Sequence, residues 1–211
     1  MRMEMTVAKL AVSLVLFSSM AMAALVACHP KEAPVIESAH SSASAEDQRG
    51  ATLRPEEYEV YSALFRNRLA RGPLPTVSDR TVASDQSVDS LRNILPADVQ
   101  AETSEDYLSK NRSTSSIADH FNLPAGEVVL IDDRELTSVL QTGRWDDFFR
   151  KHPKDRSFTR LSRVGLNRRA NQALLQQLFF GGPGVFNAVY VLLEKDSSGW
   201  KVKKEFGHMM S

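Results

Sequence analysis

Length, composition and charge place this chain among ordinary globular proteins. It has 211 residues, of which 25% are charged and 42% belong to the apolar set, a balance typical of one compact domain with tails. Its 26 Lys and Arg are matched by 26 Asp and Glu. A neutral chain lacks the cationic surplus that phosphate binding needs, so no nucleic-acid partner is expected. The single cysteine excludes an intrachain disulfide.

Residues 1–27 have the layout of a secretory signal peptide. Arg2 and Lys9 form a short cationic head, and residues 10–27 are all apolar or small and uncharged. This order of charge, apolar run and small residues is typical of a cleaved leader. The apolar run also reaches the lower length limit for a membrane-spanning helix, so a retained single-pass anchor is the alternative.

The leader ends in Leu25-Val26-Ala27-Cys28, which resembles the lipobox of bacterial lipoproteins. That resemblance implies that the Cys28 sulfur is alkylated with diacylglycerol, that the leader is cut before Cys28, and that the new amino terminus is acylated. Each buried lipid methylene contributes about 0.8 kcal/mol, so two or more acyl chains would hold the protein stably on a lipid bilayer. A thioether also removes a lone thiol that would be a liability in an oxidising compartment.

The residue after Cys28 is His29, where an aspartate would resemble an inner-membrane retention signal of enteric bacteria. We therefore expect an outer-membrane location, facing the periplasm, if the source is Gram-negative. Residues 28–54 then form a lipidated cysteine and a flexible tether, because Ser, Ala, Pro and Glu dominate and aromatic residues are absent. Random-coil scaling gives such a tether a reach of roughly 25–30 Å. A disordered tail without a spacer role is the alternative.

Residues 55–211 predict a single α+β domain that begins with a helix over 55–70. Pro55 suits a first helical turn, and Tyr58, Tyr61, Phe65 and Leu69 share one face. Gly72-Pro73 is expected to stop this helix. The next predicted elements are an extended segment over 74–83, a weakly helical stretch over 84–101, a helix capped by Thr103, a short helix over 116–121, a strand over 127–131, a helix over 135–140 capped by Asp132 or Asp133, and a helix over 145–151 that ends at Pro153.

The C-terminal third predicts an antiparallel meander of about four strands, on which the N-terminal helices pack. Residues 157–167 alternate like a strand, and 185–195 is apolar on both faces, which is typical of a central strand covered on both sides. A four-residue turn over 196–199 and a strand over 200–206 complete a hairpin. Residues 170–180 fit either a helix or a strand by periodicity alone.

Four motifs in this third of the chain resemble a C-terminal pattern of bacterial envelope proteins of uncharacterised function. They are Ser162-Arg163-Val164-Gly165-Leu166-Asn167, Gln172-Ala173-Leu174, Tyr190-Val191-Leu192-Leu193-Glu194-Lys195 and Gly199-Trp200-Lys201-Val202. The pattern runs S-x-V-G-F-N, T-Q-A-L-V-Y, a glycine-rich turn, Y-V-L-L-x-K and G-x-W-x-V. The resemblance implies that 170–180 is a strand. It supplies no catalytic residue, and Leu166 and Gln176 depart from its aromatic positions.

Nothing in the chain matches a known catalytic or metal-binding motif, so no cofactor and no metal are expected. The glycine-rich run 181–184 lacks the Lys-Ser/Thr and helix of a phosphate loop, which favours a turn. Ser162 with His152 and an aspartate matches a hydrolase triad only by residue type. The other polar candidates have a simpler interpretation as helix-end or surface groups, namely His120, His152, His208, Asp132, Asp133, Glu135, Asp146 and Asp147.

One polar turn is a candidate for binding an anionic ligand or a partner protein. Arg163, Asn167, Arg168, Arg169 and Asn171 lie close together in the sequence. A solvated connecting turn is the alternative. The sequence therefore predicts a membrane-tethered bacterial envelope lipoprotein with a non-enzymatic binding or structural role and an envelope protein as partner. An envelope hydrolase with a cleft invisible in the sequence is the competing hypothesis.

Overall fold

A computed structural model describes residues 52–70, 76–84, 86–153 and 157–210 of the chain. The predicted leader, Cys28, nearly all of the tether and the Gly72-Pro73 helix stop lie outside these ranges. Within them, no helix is both long and apolar enough to cross a bilayer. The described residues form a mixed α+β domain, which confirms the predicted fold class.

Five helices are formed by the described residues, and most begin or end where the sequence predicts. Helix α1 opens with proline and two glutamates, and α4 begins after Asp132, whose carboxylate accepts the Arg134 N–H at 2.8 Å. Gly143 ends α4 in the left-handed conformation at φ 69°. The helices are α1 (Pro55–Leu69), α2 (Val88–Ile94), α3 (Ala101–Lys110), α4 (Asp133–Thr142) and α5 (Trp145–Lys151).

One predicted helix start and one predicted helix in the first half were wrong. Thr103 lies inside α3 rather than capping it, because its hydroxyl donates to the buried Gln172 side chain at 3.1 Å. The predicted helix over 116–121 is absent: Ser116 forms an isolated bridge with Arg80, and the Ile117 N–H donates to the Asp79 carbonyl at 2.7 Å. Pairing with Asp79 and Arg80 therefore replaces the local helical hydrogen bonds.

A mixed sheet of seven strands forms the centre of the domain. The order is β2-β1-β3-β5-β6-β7, and β4 pairs with β5 beside β3. The strand β1 runs parallel to β2 and β3, whereas β3, β5, β6 and β7 form the predicted antiparallel meander. The strands are β1 (Thr76–Ser78), β2 (Leu130–Ile131), β3 (Phe158–Leu161), β4 (Gly165–Leu166), β5 (Gln172–Gly182), β6 (Val185–Asp196) and β7 (Gly199–Met210). Helices α4 and α5 lie between β2 and β3 in the chain, so the helices do not all precede the strands as predicted.

The predicted strand over 157–167 is interrupted between β3 and β4. The Arg163 N–H donates to the Asn111 side chain at 2.7 Å, and the Val164 N–H donates to Glu57 at 3.3 Å, so both leave the strand ladder. The strand predicted over 127–131 shortens to β2, and the hairpin turn shortens to Ser197-Ser198. The strand predicted over 170–180 is confirmed as β5.

The central strand β6 is covered on both faces, as its sequence predicts. Val189, Val191 and Leu193 pack with α1, while Tyr190 and Leu192 pack with Leu91 of α2 and Tyr107 of α3 on the opposite face. A third apolar cluster joins α4 and α5 to β3, through Leu136, Val139, Trp145, Phe148 and Phe158.

Candidate functional site

The predicted binding turn connects β4 to β5 and is held rigidly by the side chain of Asn167. The Asn167 Oδ1 accepts the backbone N–H groups of Asn171 at 3.0 Å and Gln172 at 3.1 Å. Within the turn, Ala170 has a φ of 48°, the only positive value at a non-glycine residue among the described residues. The network of hydrogen bonds maintains this strained conformation.

Hydrogen bonds of buried side-chain amides hold the turn on its inner side. The Gln172 Oε1 accepts the Gln100 N–H at 2.7 Å, and its Nε2 donates to the Asp98 carbonyl at 3.0 Å. The Asn167 Nδ2 donates to the Gln100 side chain at 2.8 Å. Because Asn167 and Gln172 are almost fully buried, these bonds specify one geometry for the turn.

The structure divides the predicted site residues between the interior and the surface. Arg163 is only 8% exposed and pairs with Glu57, so it lies inside the domain. Arg168 and Asn171 are exposed. The Arg168 Nε lies 3.3 Å from the Glu102 carboxylate, and Arg169 is exposed beside it without an ion pair to another described residue.

Sequence reasoning missed the buried ion pair that supports this region. Glu57 is fully buried, and its carboxylate accepts the Arg163 Nε at 3.2 Å, the Arg163 Nη2 at 2.8 Å, the Arg54 N–H at 2.9 Å and the Val164 N–H at 3.3 Å. The hydrogen bonds to Glu57 raise the pKa of Arg163. The position of Glu57 in the first turn of α1 explains the omission, because acids are common there for local reasons.

Two grooves flank the Arg168–Glu102 pair. The larger groove, of about 560 Å³, lies between the start of α1, helix α3 and the turn. Its ionisable lining residues are Arg54, Glu56, Glu102, Glu105, Asp106, Lys110 and Arg168. The smaller groove, of about 390 Å³, is lined by polar side chains on the other side of Arg168.

The larger groove presents both signs of charge rather than a cationic surface. Lys110 pairs with Asp106 at 2.7 Å and Arg168 pairs with Glu102, which leaves Arg54, Glu56 and Glu105 without an ion-pair partner among the described residues. A site of this kind suits a polar ligand or protein surface that carries both charges, and it is less suited to a simple anion.

The serine and histidine of the hypothetical triad lie in separate clusters. The fully buried Ser162 hydroxyl donates to the Arg163 carbonyl at 3.1 Å and accepts the Gln176 N–H at 2.7 Å. The His152 Nε2 lies 2.8 Å from Glu135, at the C-terminal end of α5. The geometry therefore does not bring this Ser and His together.

The acidic candidates have structural partners or helix-end positions. Asp132 caps α4, and Asp133 pairs with Arg160 at 2.8 Å while accepting the Ser78 hydroxyl at 2.9 Å. Asp146 and Asp147 lie in the first turn of α5. Among the described residues, no three His, Cys, Asp or Glu side chains form a group that could hold a metal ion. The His208 side chain lies outside the described part of the chain.

The comparisons with known proteins give no further guide to this site. No protein-family model, curated protein or solved structure matches the chain.

Proposed function

We propose that this protein is a lipid-anchored bacterial envelope protein whose folded domain is a non-enzymatic binding module. The leader, the lipobox-like sequence at Cys28 and the low-complexity segment that follows support the anchor. Its C-terminal motifs, which resemble those of bacterial envelope proteins, support the same compartment. In a Gram-negative source, the expected location is the outer membrane, facing the periplasm.

One structural observation carries the binding role: the chain enters the domain beside the larger groove. Leu53 is 4% exposed and belongs to the core, so the folded domain includes the two residues before the predicted boundary at 55. The next residue, Arg54, lines the groove together with Arg168 of the turn. An anchored chain would therefore hold this rigid surface, which carries both charges, near the tether and within the envelope.

The anchor is tested by labelling cells with an alkyne analogue of palmitate and measuring the intact mass of the purified protein. We expect the wild-type chain to take the label, lose residues 1–27 and gain acyl mass. Cys28→Ser should abolish both the label and the cleavage. A matched control combines Cys28→Ser with Ser38→Cys, which restores a thiol ten residues downstream and should not restore labelling. An unlabelled wild-type protein would disprove the anchor.

The binding role is tested with the full-length anchored protein by crosslinking in its native envelope. Arg168→Ala combined with Arg169→Ala should remove the specific adducts, because both cations are exposed on the turn. Arg150→Ala removes another exposed, ion-paired cation, on α5, and is the control. Identical adduct patterns in all three proteins would contradict a binding role for the turn.

A further inference from the structure

A third groove lies between α2 and α3 and has no part in the proposed function. We call it the helical groove. It has a volume of about 250 Å³, and both helices and the segment that joins them contribute apolar side chains to its lining. These apolar residues are Val88, Leu91, Leu95, Pro96, Val99 and Leu108. The ionisable residues of its lining are Arg92 and Glu105.

Helix α2 leaves apolar surface in solvent beside this groove. Leu91 is the buried residue of α2, whereas Val88, one turn earlier on the same side of the helix, is 45% exposed. Val88 is one of the five large hydrophobic side chains that are exposed among the described residues. An exposed aliphatic side chain next to an apolar recess, with charged residues at the rim, is typical of a protein contact surface.

The two charges at the rim have opposite signs and lie on different helices. Arg92 is 69% exposed on α2, and its pair with Asp89 within one helical turn is long, at 3.8 Å, and lies in solvent. Such a pair contributes little to stability, so the Arg92 guanidinium is available to another carboxylate. Glu105, in the middle of α3, has no ion-pair partner among the described residues.

We propose that the helical groove is the interface of a symmetric homodimer. A two-fold axis through the groove sets α2 of one copy against α3 of the other, because a rotation of 180° exchanges the two sides of the groove. Arg92 of each copy then faces Glu105 of the second copy. Val88 of each copy moves from solvent into contact with the apolar lining of the other groove, which removes apolar surface from water.

Charge complementarity favours a second copy over other occupants. A partner surface with a single sign of charge would repel either Arg92 or Glu105, whereas a second copy supplies both signs at once. Anionic lipid headgroups would repel Glu105 and Asp89, which disfavours a bilayer. Stable dimers bury roughly 800 Å² on each subunit, so the contact extends along both helices beyond the groove. This interface depends on neither the proposed anchor nor the binding turn.

Photocrosslinking of two co-expressed full-length copies, each with a different epitope tag, tests the homodimer. A photoreactive amino acid replaces Ala101, an exposed residue that lines the helical groove. In a control protein it replaces Val129, which is 47% exposed just before β2. We expect adducts that carry both tags from position 101 and about fivefold fewer from position 129. Equal yields from the two positions, or adducts of position 101 with a different protein alone, would overturn the proposal.

Charge reversal distinguishes the two-fold pairing from any other contact between copies. Arg92→Glu in both copies, or Glu105→Arg in both copies, opposes like charges at both pairs and should lower the yield of two-tag adducts about fivefold. Arg92→Glu in one copy with Glu105→Arg in the other restores two pairs of opposite charge. This mixed pair should return the yield to within about twofold of wild type. Unchanged yields in the single variants, or no recovery in the mixed pair, would contradict the two-fold interface.

The Arg92→Glu variant also separates this interface from the proposed binding turn. Glu105 lines both the helical groove and the larger groove, whereas Arg92 lines only the helical groove of the two. Adducts with an envelope protein that depend on Arg168 and Arg169 should therefore persist in Arg92→Glu, while the two-tag adducts are lost. Because Arg92 and Glu105 are exposed, thermal unfolding of each purified variant should match wild type.

Discussion

The two ends of the β5–β6 hairpin are built from opposite chemistry. At the tether end, the buried Glu57, Arg163, Asn167 and Gln172 form hydrogen bonds that fix the backbone around the binding turn. At the far end, residues 179–186 carry no charge, and Val185 is 51% exposed. Buried polar groups must be fully paired, so hydrogen bonds specify the backbone at the first end, whereas positive-φ glycines and apolar contacts shape the second.

The largest effect should come from breaking the buried ion pair at the tether end. Arg163→Ala leaves the fully buried Glu57 carboxylate without its guanidinium partner, and this should lower the free energy of unfolding by about 3–5 kcal/mol. Urea denaturation monitored by circular dichroism measures the loss. The exposed pair of Arg150 and Asp147 is the control, since Arg150→Ala should cost less than about 1 kcal/mol. Similar losses of unfolding free energy in both variants would show that the buried pair does not stabilise this end of the hairpin more than an exposed pair does.

Close packing beneath the same turn gives the next largest effect. A Cβ on Gly165 would lie 2.5 Å from the Thr103 carbonyl oxygen and 2.5 Å from the Tyr107 Cβ, so α3 must move away from β4. We expect Gly165→Ala to lower the free energy of unfolding by about 3 kcal/mol, measured by urea denaturation. Gly126→Ala meets nothing within 4 Å and has only its φ of 83° as a source of strain. It should cost about 1 kcal/mol, and an equal cost for both would contradict the close contact.

Alkaline pH should destabilise the domain through its buried tyrosines. Burial raises the pKa of Tyr61, Tyr107 and Tyr190 above that of an exposed tyrosine. In the unfolded chain these rings lose protons near pH 10, so above that pH the folded state binds more protons than the unfolded state. The contribution of these rings to the free energy of unfolding is therefore fully present below about pH 10. Above that pH it falls by up to about 1.4 kcal/mol per pH unit for each ring.

Urea denaturation between pH 9 and 11.5 measures this slope, and absorbance at 295 nm reports tyrosinate. Tyr61→Phe removes one buried hydroxyl and should reduce the slope by about one third, whatever its effect on stability at neutral pH. A slope identical to that of wild type would show that Tyr61 titrates equally in the folded and unfolded states.

The smallest effect on stability should come from Val185, at the turn between β5 and β6. Val185 is 51% exposed, so Val185→Asp removes little buried surface and should change the free energy of unfolding by no more than about 0.5 kcal/mol. Thermal unfolding of the purified protein checks this result. A large destabilisation would mean that Val185 belongs to the core, which would contradict the difference between the two ends of the hairpin.

Much of the fold is predictable because its patterns are local. The helix over 55–70 and the doubly covered strand over 185–195 are visible in short stretches of sequence, and both elements are confirmed as α1 and β6. The single apolar face predicted for α1 is not: all of Val60–Phe65 is buried, and Leu69 is only half-buried. The break between β3 and β4 is not visible in this way, because Asn111 and Glu57 replace strand partners from more than 50 residues away. The same cause places Arg163 in the interior, although its position in the sequence suggests a surface turn.

By itself, the sequence determined that this chain carries a leader-like segment, one cysteine, a low-complexity stretch and an α+β domain with a buried central strand. These are properties of composition and short-range order, and they require no knowledge of distant contacts. Only the tertiary structure decided that Arg163 is buried, that Arg168 lies on a groove shared with Arg54, and that Val185 and Met209 lie at one end of the sheet. Partners distant in sequence determine these features, since burial and pairing depend on which segments the fold brings together.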